Sequence, residues 1–97
     1  MTQRITVAYL TAVIGRINRA TGSPSDPYIK GEDGRYRGQT GCYHLSREYG
    51  GFCLHRMEGA DGGVSDVFRC DHVPARDLAN RMHAFLDGIE AQTARID

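Results

Sequence analysis

One stretch decides the fold of this chain: residues Gly41–Val73 read GCYHLSREYGGFCLHRMEGADGGVSDVFRCDHV. Short runs that alternate apolar and polar residues, separated by pairs of glycines, are typical of strands joined by tight turns. The stretch therefore predicts a three-stranded antiparallel sheet over residues 42–72, with the third strand at Val64–Cys70.

The pair Gly50-Gly51 predicts a two-residue turn between the first two strands. Tyr49 then opposes Phe52, and the alternation of side chains assigns two faces to the sheet. The face predicted to lie on the helices carries Tyr43, Leu45, Tyr49, Phe52 and Leu54. The other face carries Cys42, His44, Ser46, Glu48, Cys53, His55 and Met57.

Helical periodicity flanks this stretch on both sides. Residues 1–22 predict a helix with Thr6 as N-cap and Gly22 as the left-handed residue that ends it. Its apolar stripe is Leu10, Val13, Ile14 and Ile17. Residues 74–95 predict a second helix that begins near Pro74. Two alternatives stay open after Gly88: the regular helix ends there and Glu90–Asp97 fray, or these residues extend it. Its stripe is Leu78, Met82, Phe85, Leu86 and Ile89.

The connection 23–41 is long for so small a domain, and such connections are often functional. Its Gly-Glu-Asp-Gly centre predicts a small hairpin between Tyr28–Lys30 and Arg35–Arg37. The sequence thus predicts a single α+β domain over 1–97, ordered αβββα, with both helices on one face of the sheet.

Composition restricts the class of protein. Of 97 residues, 12 are basic and 12 acidic, and the zero net charge disfavours binding to nucleic acid through phosphates. The three cysteines suggest free thiols in a reducing compartment rather than a disulfide framework. Neither a signal peptide nor an apolar run of membrane-spanning length is evident, so a soluble cytoplasmic protein is expected.

Each cysteine precedes a histidine by two residues, as in Cys42-Tyr-His44 and Cys53-Leu-His55. These four side chains share one predicted face, which leaves a structural zinc site as an alternative. A catalytic Cys–His pair oriented by Asp66, Asp71 or Glu48 is the enzymatic alternative. Flat neighbouring strands project side chains in parallel, so small half-buried cysteines are favoured, and neither a cofactor nor catalysis is predicted.

The order helix, three strands, helix is also that of double-stranded-RNA-binding domains. Those domains contact RNA partly through basic residues at the start of the second helix, where this chain has Arg76 followed by Asp77. Arg35 and Arg37 would extend such a surface. Topology alone does not give function, so nucleic-acid binding stays an alternative.

Several motifs together resemble a group of small uncharacterised proteins encoded by tailed bacteriophages and prophages. They are Tyr43-His-Leu45, Tyr49-Gly-Gly51, Leu54-His-Arg-Met57, Gly62-Gly-Val-Ser-Asp-Val-Phe68, His72-Val-Pro74 and Arg81-Met-His-Ala-Phe-Leu86. The resemblance implies an accessory protein that acts in the cytoplasm of a bacterial host. It implies no catalytic residue.

These observations predict a non-catalytic protein that binds and modulates a host bacterial protein, such as a component of defence or transcription. The predicted contact surface is the open sheet face with His44, His55 and Met57, extended by Tyr28 and Tyr36 of the long connection. An uncovered sheet edge also leaves a homodimer open.

Overall fold

Two helices and a three-stranded antiparallel sheet form two packed layers, and a small hairpin lies beside the sheet. The computed structural model describes residues 4–96. Its elements are α1 (Val7–Thr21), β1 (Tyr28–Lys30), β2 (Tyr36–Gly38), β3 (Tyr43–Glu48), β4 (Gly51–Met57), β5 (Val64–Asp66) and α2 (Ala75–Ile96). The predicted α+β class and order of elements are confirmed.

The core lies between the helices and one face of the sheet. Both helices contribute the stripes that their periodicity predicts, and β4 contributes Leu54. The buried members are Leu10, Val13, Ile14, Ile17, Leu54, Leu78, Ala79, Met82 and Leu86. Tyr43, Leu45 and Phe52 pack against this cluster from the same face of the sheet. The predicted helix-facing set is therefore confirmed except for Tyr49, which lies in the turn and is fully exposed.

The turn between β3 and β4 is one residue earlier than predicted. Tyr49 and Gly50 have φ angles of 54° and 75°, the left-handed pair of a type I′ turn. Glu48 therefore pairs with Gly51 and Leu45 with Leu54. The predicted pairing was wrong by two residues, and an even shift keeps every side chain within the two strands on its predicted face.

Gly51 lies in the strand for a different reason. A Cβ atom at this position would stand 3.0 Å from the Cβ of His72. The backbone of residues 72–73 approaches β4 closely here, and Phe52 and Val73 exchange hydrogen bonds of 2.8 and 2.9 Å. Gly51 is thus required by this approach, whereas Gly50 serves the turn.

A bulge joins β3 to the preceding loop. Gly41 has a φ angle of 93°, and its N–H donates to Met57 O at 2.7 Å. The Met57 N–H in turn donates to Cys42 O at 2.8 Å, so two residues oppose one. A glycine with positive φ at the first bulge position has this geometry.

Helix α1 has the predicted caps. The Thr6 hydroxyl accepts a hydrogen bond from the Tyr9 N–H at 3.0 Å, and Gly22 is left-handed with φ 69°. Residues 4–6 are not helical, so the predicted start was too early there; its first part, residues 1–3, lies outside the described residues.

Helix α2 runs without interruption through Gly88 to Ile96, so of the two alternatives for the residues after Gly88, extension of the helix is correct. It begins at Ala75, and the Leu78 N–H bonds to Pro74 O at 3.1 Å. A hydrogen bond of 2.6 Å between the Tyr9 hydroxyl and His83 Nε2 joins α2 to α1.

The third strand is shorter than predicted because the Asp66 side chain ends it. One carboxylate oxygen accepts the Arg69 N–H at 2.9 Å, and the other accepts the Asp71 N–H at 2.7 Å. Arg69 and Asp71 both take positive φ angles, and the chain loops over the sheet before Val73 rejoins β4.

The predicted hairpin is present, with its second strand one residue later than expected. It sits against the end of β4, because Gly38 N–H donates to Ala60 O at 2.9 Å. A Cβ atom at Gly38 would stand 2.5 Å from Gly59 O and 2.7 Å from Met57 Sδ. Only glycine permits this contact.

Replacing Gly38 by alanine is expected to lower the free energy of unfolding by about 1–3 kcal/mol, because the added methyl overpacks the contact with Met57. The matched control is Gly88→Ala, where nothing lies within 4 Å of the new methyl. Since Gly88 is inside α2, the control should gain about 0.5–1 kcal/mol. Urea unfolding measures both, and equal effects would contradict the packing of the hairpin.

Candidate functional site

Three exposed side chains of the β1–β2 hairpin form what we call the hairpin patch: Tyr28, Ile29 and Tyr36. Their exposed fractions are 48%, 56% and 68%. Because Lys30 opposes Tyr36 and side chains alternate along a strand, Tyr28 and Tyr36 lie on one face of the hairpin and Ile29 on the other. Exposed aromatic and aliphatic groups on one element are a feature of binding surfaces. The sequence predicted both tyrosines as contact residues, and the structure places them on the same small hairpin.

Met57 does not belong to an exposed surface. Its side chain is 0% exposed, because the hairpin covers it at Gly38. Its place in the predicted contact surface was therefore wrong. The cause is a tertiary contact that the sequence pattern does not contain. The connection was expected to extend the sheet face, but its hairpin folds over the end of the sheet at Met57.

The sheet face away from the helices carries what we call the histidine row: His44, His55 and His72. The ring centroids of His44 and His55 are 5.8 Å apart, and those of His55 and His72 are 6.2 Å apart. His44 opposes His55 across the β3–β4 ladder, and His55 opposes Asp66 on β5. The prediction that His44 and His55 share this face is correct.

This face is less open than predicted. Cys42 and Cys53, which were expected to be half-buried, are both buried. The loop between Asp66 and Val73 accounts for Cys53, since it brings His72 against Gly51 and the Asp66 carboxyl to the Cys53 thiol. The histidines are half-buried between these covered parts.

His72 is held from both sides. Its Nε2 lies 2.9 Å from the Ser46 hydroxyl, and its Nδ1 lies 2.9 Å from an Asp71 carboxylate oxygen. Serine, histidine and aspartate in this order resemble the arrangement of serine hydrolases. The Asp71 side chain is 91% exposed, so water screens the charge that would orient the histidine.

An oxyanion needs N–H groups that no acceptor already occupies. Asp71 and Val73 flank His72 in sequence, and Phe52 pairs with Val73 from β4. The backbone N–H groups of all three residues already donate to acceptors within the protein. The hydrogen bonds of His72 to Ser46 and Asp71 hold the Asp66–Val73 loop in position over β4.

Asp66 organises the same loop electrostatically. Burial alone would raise the pKa of its carboxyl, but hydrogen bonds from the Asp71 N–H, the Cys53 thiol and the Arg69 N–H outweigh burial and lower it. Sequence reasoning considered Asp66 only as an orienting group for catalysis. The spacing from Asp66 to Arg69 is the signal that was missed, since aspartate often caps a following turn.

The thiols are poor metal ligands here. Burial, followed by the hydrogen bond to Asp66, raises the pKa of Cys53 to about 12. Burial also raises the pKa of Cys42. Metals bind the thiolate form, and no group of three or more His, Cys, Asp or Glu within residues 4–96 is arranged to hold a metal ion. The zinc alternative built on Cys42, His44, Cys53 and His55 is not supported.

The arginines of the nucleic-acid alternative do not form one basic cluster. Arg35 and Arg37 flank or lie on the hairpin, at the Met57 end of β4, and Arg37 pairs with Asp33 at 3.6 Å. Arg76 lies in the first turn of α2, which follows the pairing of Val73 with Phe52 at the other end of β4. Strand geometry separates these ends by about 15–20 Å.

Comparison with known proteins adds no family. No protein-family model matches the chain, and no curated protein or solved structure does either. Within residues 4–96, no helix combines the length and apolar character needed to cross a membrane.

Acid should destabilise the protein through His44. Its Nε2 is buried without a hydrogen-bond partner, and burial, then the nearby His55, lower the pKa of the imidazole below 6.5. The unfolded chain therefore takes up a proton first, so stability falls as the pH drops below 6.5 toward the lowered pKa.

Urea unfolding between about pH 7.5 and about pH 5 tests this, in the range where histidine titrates. His44→Gln should lose less stability on acidification than the unmodified protein. His83→Gln, on α2 beside Tyr9, is the control and should keep the dependence that His44 causes. An unchanged loss in His44→Gln would contradict the assignment.

Both buried thiols should resist alkylation in the folded protein, because the thiolate is the reactive form. In a Cys70→Ser background, iodoacetamide at neutral pH should leave Cys42 and Cys53 unmodified until urea unfolds the chain. Mass spectrometry reads the number of labels. Rapid labelling of native Cys53 would show a thiolate and reopen the metal and nucleophile alternatives.

Proposed function

We propose that this chain is a non-catalytic module that binds a folded host bacterial protein through the hairpin patch, acting in the bacterial cytoplasm. The observation that carries the proposal is the exposure of Tyr28, Ile29 and Tyr36 on one short hairpin. Tyrosine is among the residues that supply most of the affinity at the centre of an interface.

The rim of the patch suits a protein partner. Exposed charges of both signs lie on the same hairpin: Lys30 shares the face of the tyrosines, Arg37 that of Ile29, and Glu32 and Asp33 lie in the turn. An apolar centre with a mixed polar rim is the usual anatomy of a protein–protein interface. A phosphate-binding surface would instead concentrate basic side chains, and this chain carries no net charge.

The patch is also held rigidly. The Gln39 N–H donates to Pro27 O at 2.7 Å, and the Gly31 N–H donates to Arg35 O at 2.8 Å across the turn. The Tyr28 hydroxyl lies 3.5 Å from where a Cβ of Gly62 would stand. A surface that is ordered before binding loses less conformational entropy when the partner arrives.

The bacterial host and the cytoplasm rest on the sequence resemblance to phage and prophage proteins. A component of host defence or transcription is the class of partner that this origin favours. The contact surface is narrower than the one predicted from sequence, because Met57 is buried and the histidine row is half-covered.

Affinity capture from bacterial lysate tests the proposal with matched variants. Tyr36→Ser and Ile29→Ser should each weaken recovery of the partner about tenfold or more, the effect typical of an interface anchor. Tyr49→Asn, which removes a still more exposed tyrosine elsewhere, should leave recovery unchanged. A partner recovered equally with all three variants, or none recovered above background, would contradict the proposal.

A further inference from the structure

β3 is an edge strand with a free side. The sheet order is β3-β4-β5, so β3 pairs only with β4. Successive residues in a strand direct their N–H and C=O groups to opposite edges. Because Cys42 O bonds to Met57 of β4, the groups of Tyr43, Leu45 and Arg47 are directed away from β4.

One of these three residues is already satisfied. The Asn18 side chain accepts the Tyr43 N–H at 2.8 Å and donates to Tyr43 O at 3.0 Å. It takes the place that a neighbouring strand would occupy. Within residues 4–96 no hydrogen bond to the outward groups of Leu45 or Arg47 is found. The free edge thus consists of two residues, stopped at one end by Asn18.

A second β3 strand can pair with this edge about a two-fold axis in one register. Centring the axis on Leu45 would pair Arg47 with Tyr43, whose groups Asn18 occupies. Centring it on Arg47 would oppose two arginines, which destabilises a strand pair.

The remaining register is the one in which the two-fold axis passes through Ser46. Each Leu45 then pairs with Arg47 of the second copy and exchanges both hydrogen bonds with it. Glu48 opposes His44 of the second copy, and no like charges face each other. Every free group of the edge is satisfied, and the pairing ends where Asn18 closes the strand.

In the same register Tyr49 of the second copy, a turn residue beyond the last paired position, would lie beside Tyr43 and the Asn18 side chain that caps it. Tyr49 is 100% exposed, and its φ of 54° is unfavourable for a residue other than Gly, Asn or Asp. Among the described residues 4–96, none buries the Tyr49 side chain, so packing within this part of the chain does not explain a tyrosine at this turn position.

A groove of about 250 Å³ lies beside Tyr43, between α1, β3 and the connection at Ser25 and Pro27. Its lining includes Ile14, Gly15 and Asn18 of α1, and Tyr43 and Leu45 of β3. Gly15 weakens the helix relative to alanine, yet only the end of the Arg19 side chain would meet a Cβ there. The missing side chain keeps the groove open on the side that faces the incoming ring.

We propose that two copies of this chain associate through antiparallel β3–β3 pairing centred on Ser46, with Tyr49 of each copy inserted into the α1–β3 groove of the other. The occupant of the edge is a second copy, because the same strand supplies what the edge lacks. In this register Leu45 pairs with Arg47, Glu48 faces His44, and the exposed Tyr49 of one copy lies beside the groove of the other. The hairpin patch lies outside the pairing.

Sedimentation velocity over roughly 1 to 500 µM, the range of weak dimers, tests the association. The unmodified protein should change from monomer to dimer as its concentration rises. A sedimentation coefficient that stays at the monomer value over this range would overturn the proposal.

Three variants test the geometry. Arg47→Pro removes an outward N–H, which an edge strand tolerates, and should raise the dissociation constant about tenfold or more. Gly15→Leu fills the groove with a good helix former and should act likewise. Tyr49→Asn should weaken the dimer while raising the urea midpoint of the monomer, because asparagine suits the turn.

Tyr36→Ser is the control and should leave the dissociation constant unchanged, since the hairpin patch is not part of the pairing. This control also separates the dimer from host-protein binding, which Tyr36→Ser is expected to weaken. A dimer that withstands both Arg47→Pro and Tyr49→Asn would show a different interface and overturn the proposal.

Discussion

Leu54 and Cys53 are neighbours that point to opposite faces of β4, and both are buried. Leu54 joins the core between the helices and the sheet, while Cys53 lies beneath the Asp66–Val73 loop. Completely burying a leucine side chain contributes about 1.5–3 kcal/mol. The strand is also paired along both edges, by β3 on one side and by β5 and Val73 on the other. Every other part of the fold is positioned by contact with this enclosed strand, directly or through one neighbour.

Two glycines allow that enclosure. Gly51 lets the backbone at His72 approach one end of β4, and Gly38 lets the hairpin approach the other end at Met57. These contacts bury Cys53 and Met57 on the outer face of the sheet and leave the histidine row half-buried between them. The surfaces that remain for partners are therefore at the periphery, on the hairpin patch and on the free edge of β3. The fold thus explains why the surface proposed for a host protein is separate from the surface proposed for a second copy.

Periodicity and capping were sufficient to predict the helices and the core. The stripe of α1 and the caps at Thr6 and Gly22 depend on local sequence, and they are present as predicted. The faces of the sheet were predicted because alternation is insensitive to an even error in register. Gly50-Gly51 misplaced the turn because the sequence does not distinguish a glycine required by φ from one required by a close neighbour.

The candidate surfaces were harder to predict for the same reason. Tyr28 and Tyr36 were identified as contact residues because they belong to a hairpin whose turn is visible in the sequence. The burial of Met57 depends on where that hairpin docks, which is a tertiary property. The position of His72 depends on the hydrogen bonds of Asp66 to residues further along the chain, and a strand pattern does not encode them.

The central claim, that the hairpin patch contacts a host protein, is tested most directly by photo-crosslinking in living bacteria. A photoreactive phenylalanine analogue would replace Tyr36, and in a second strain Arg81, which is exposed on α2. Our account predicts a crosslinked adduct with one host protein from position 36 and none from position 81. Equal adducts from both positions, or an adduct from position 81 alone, would contradict it.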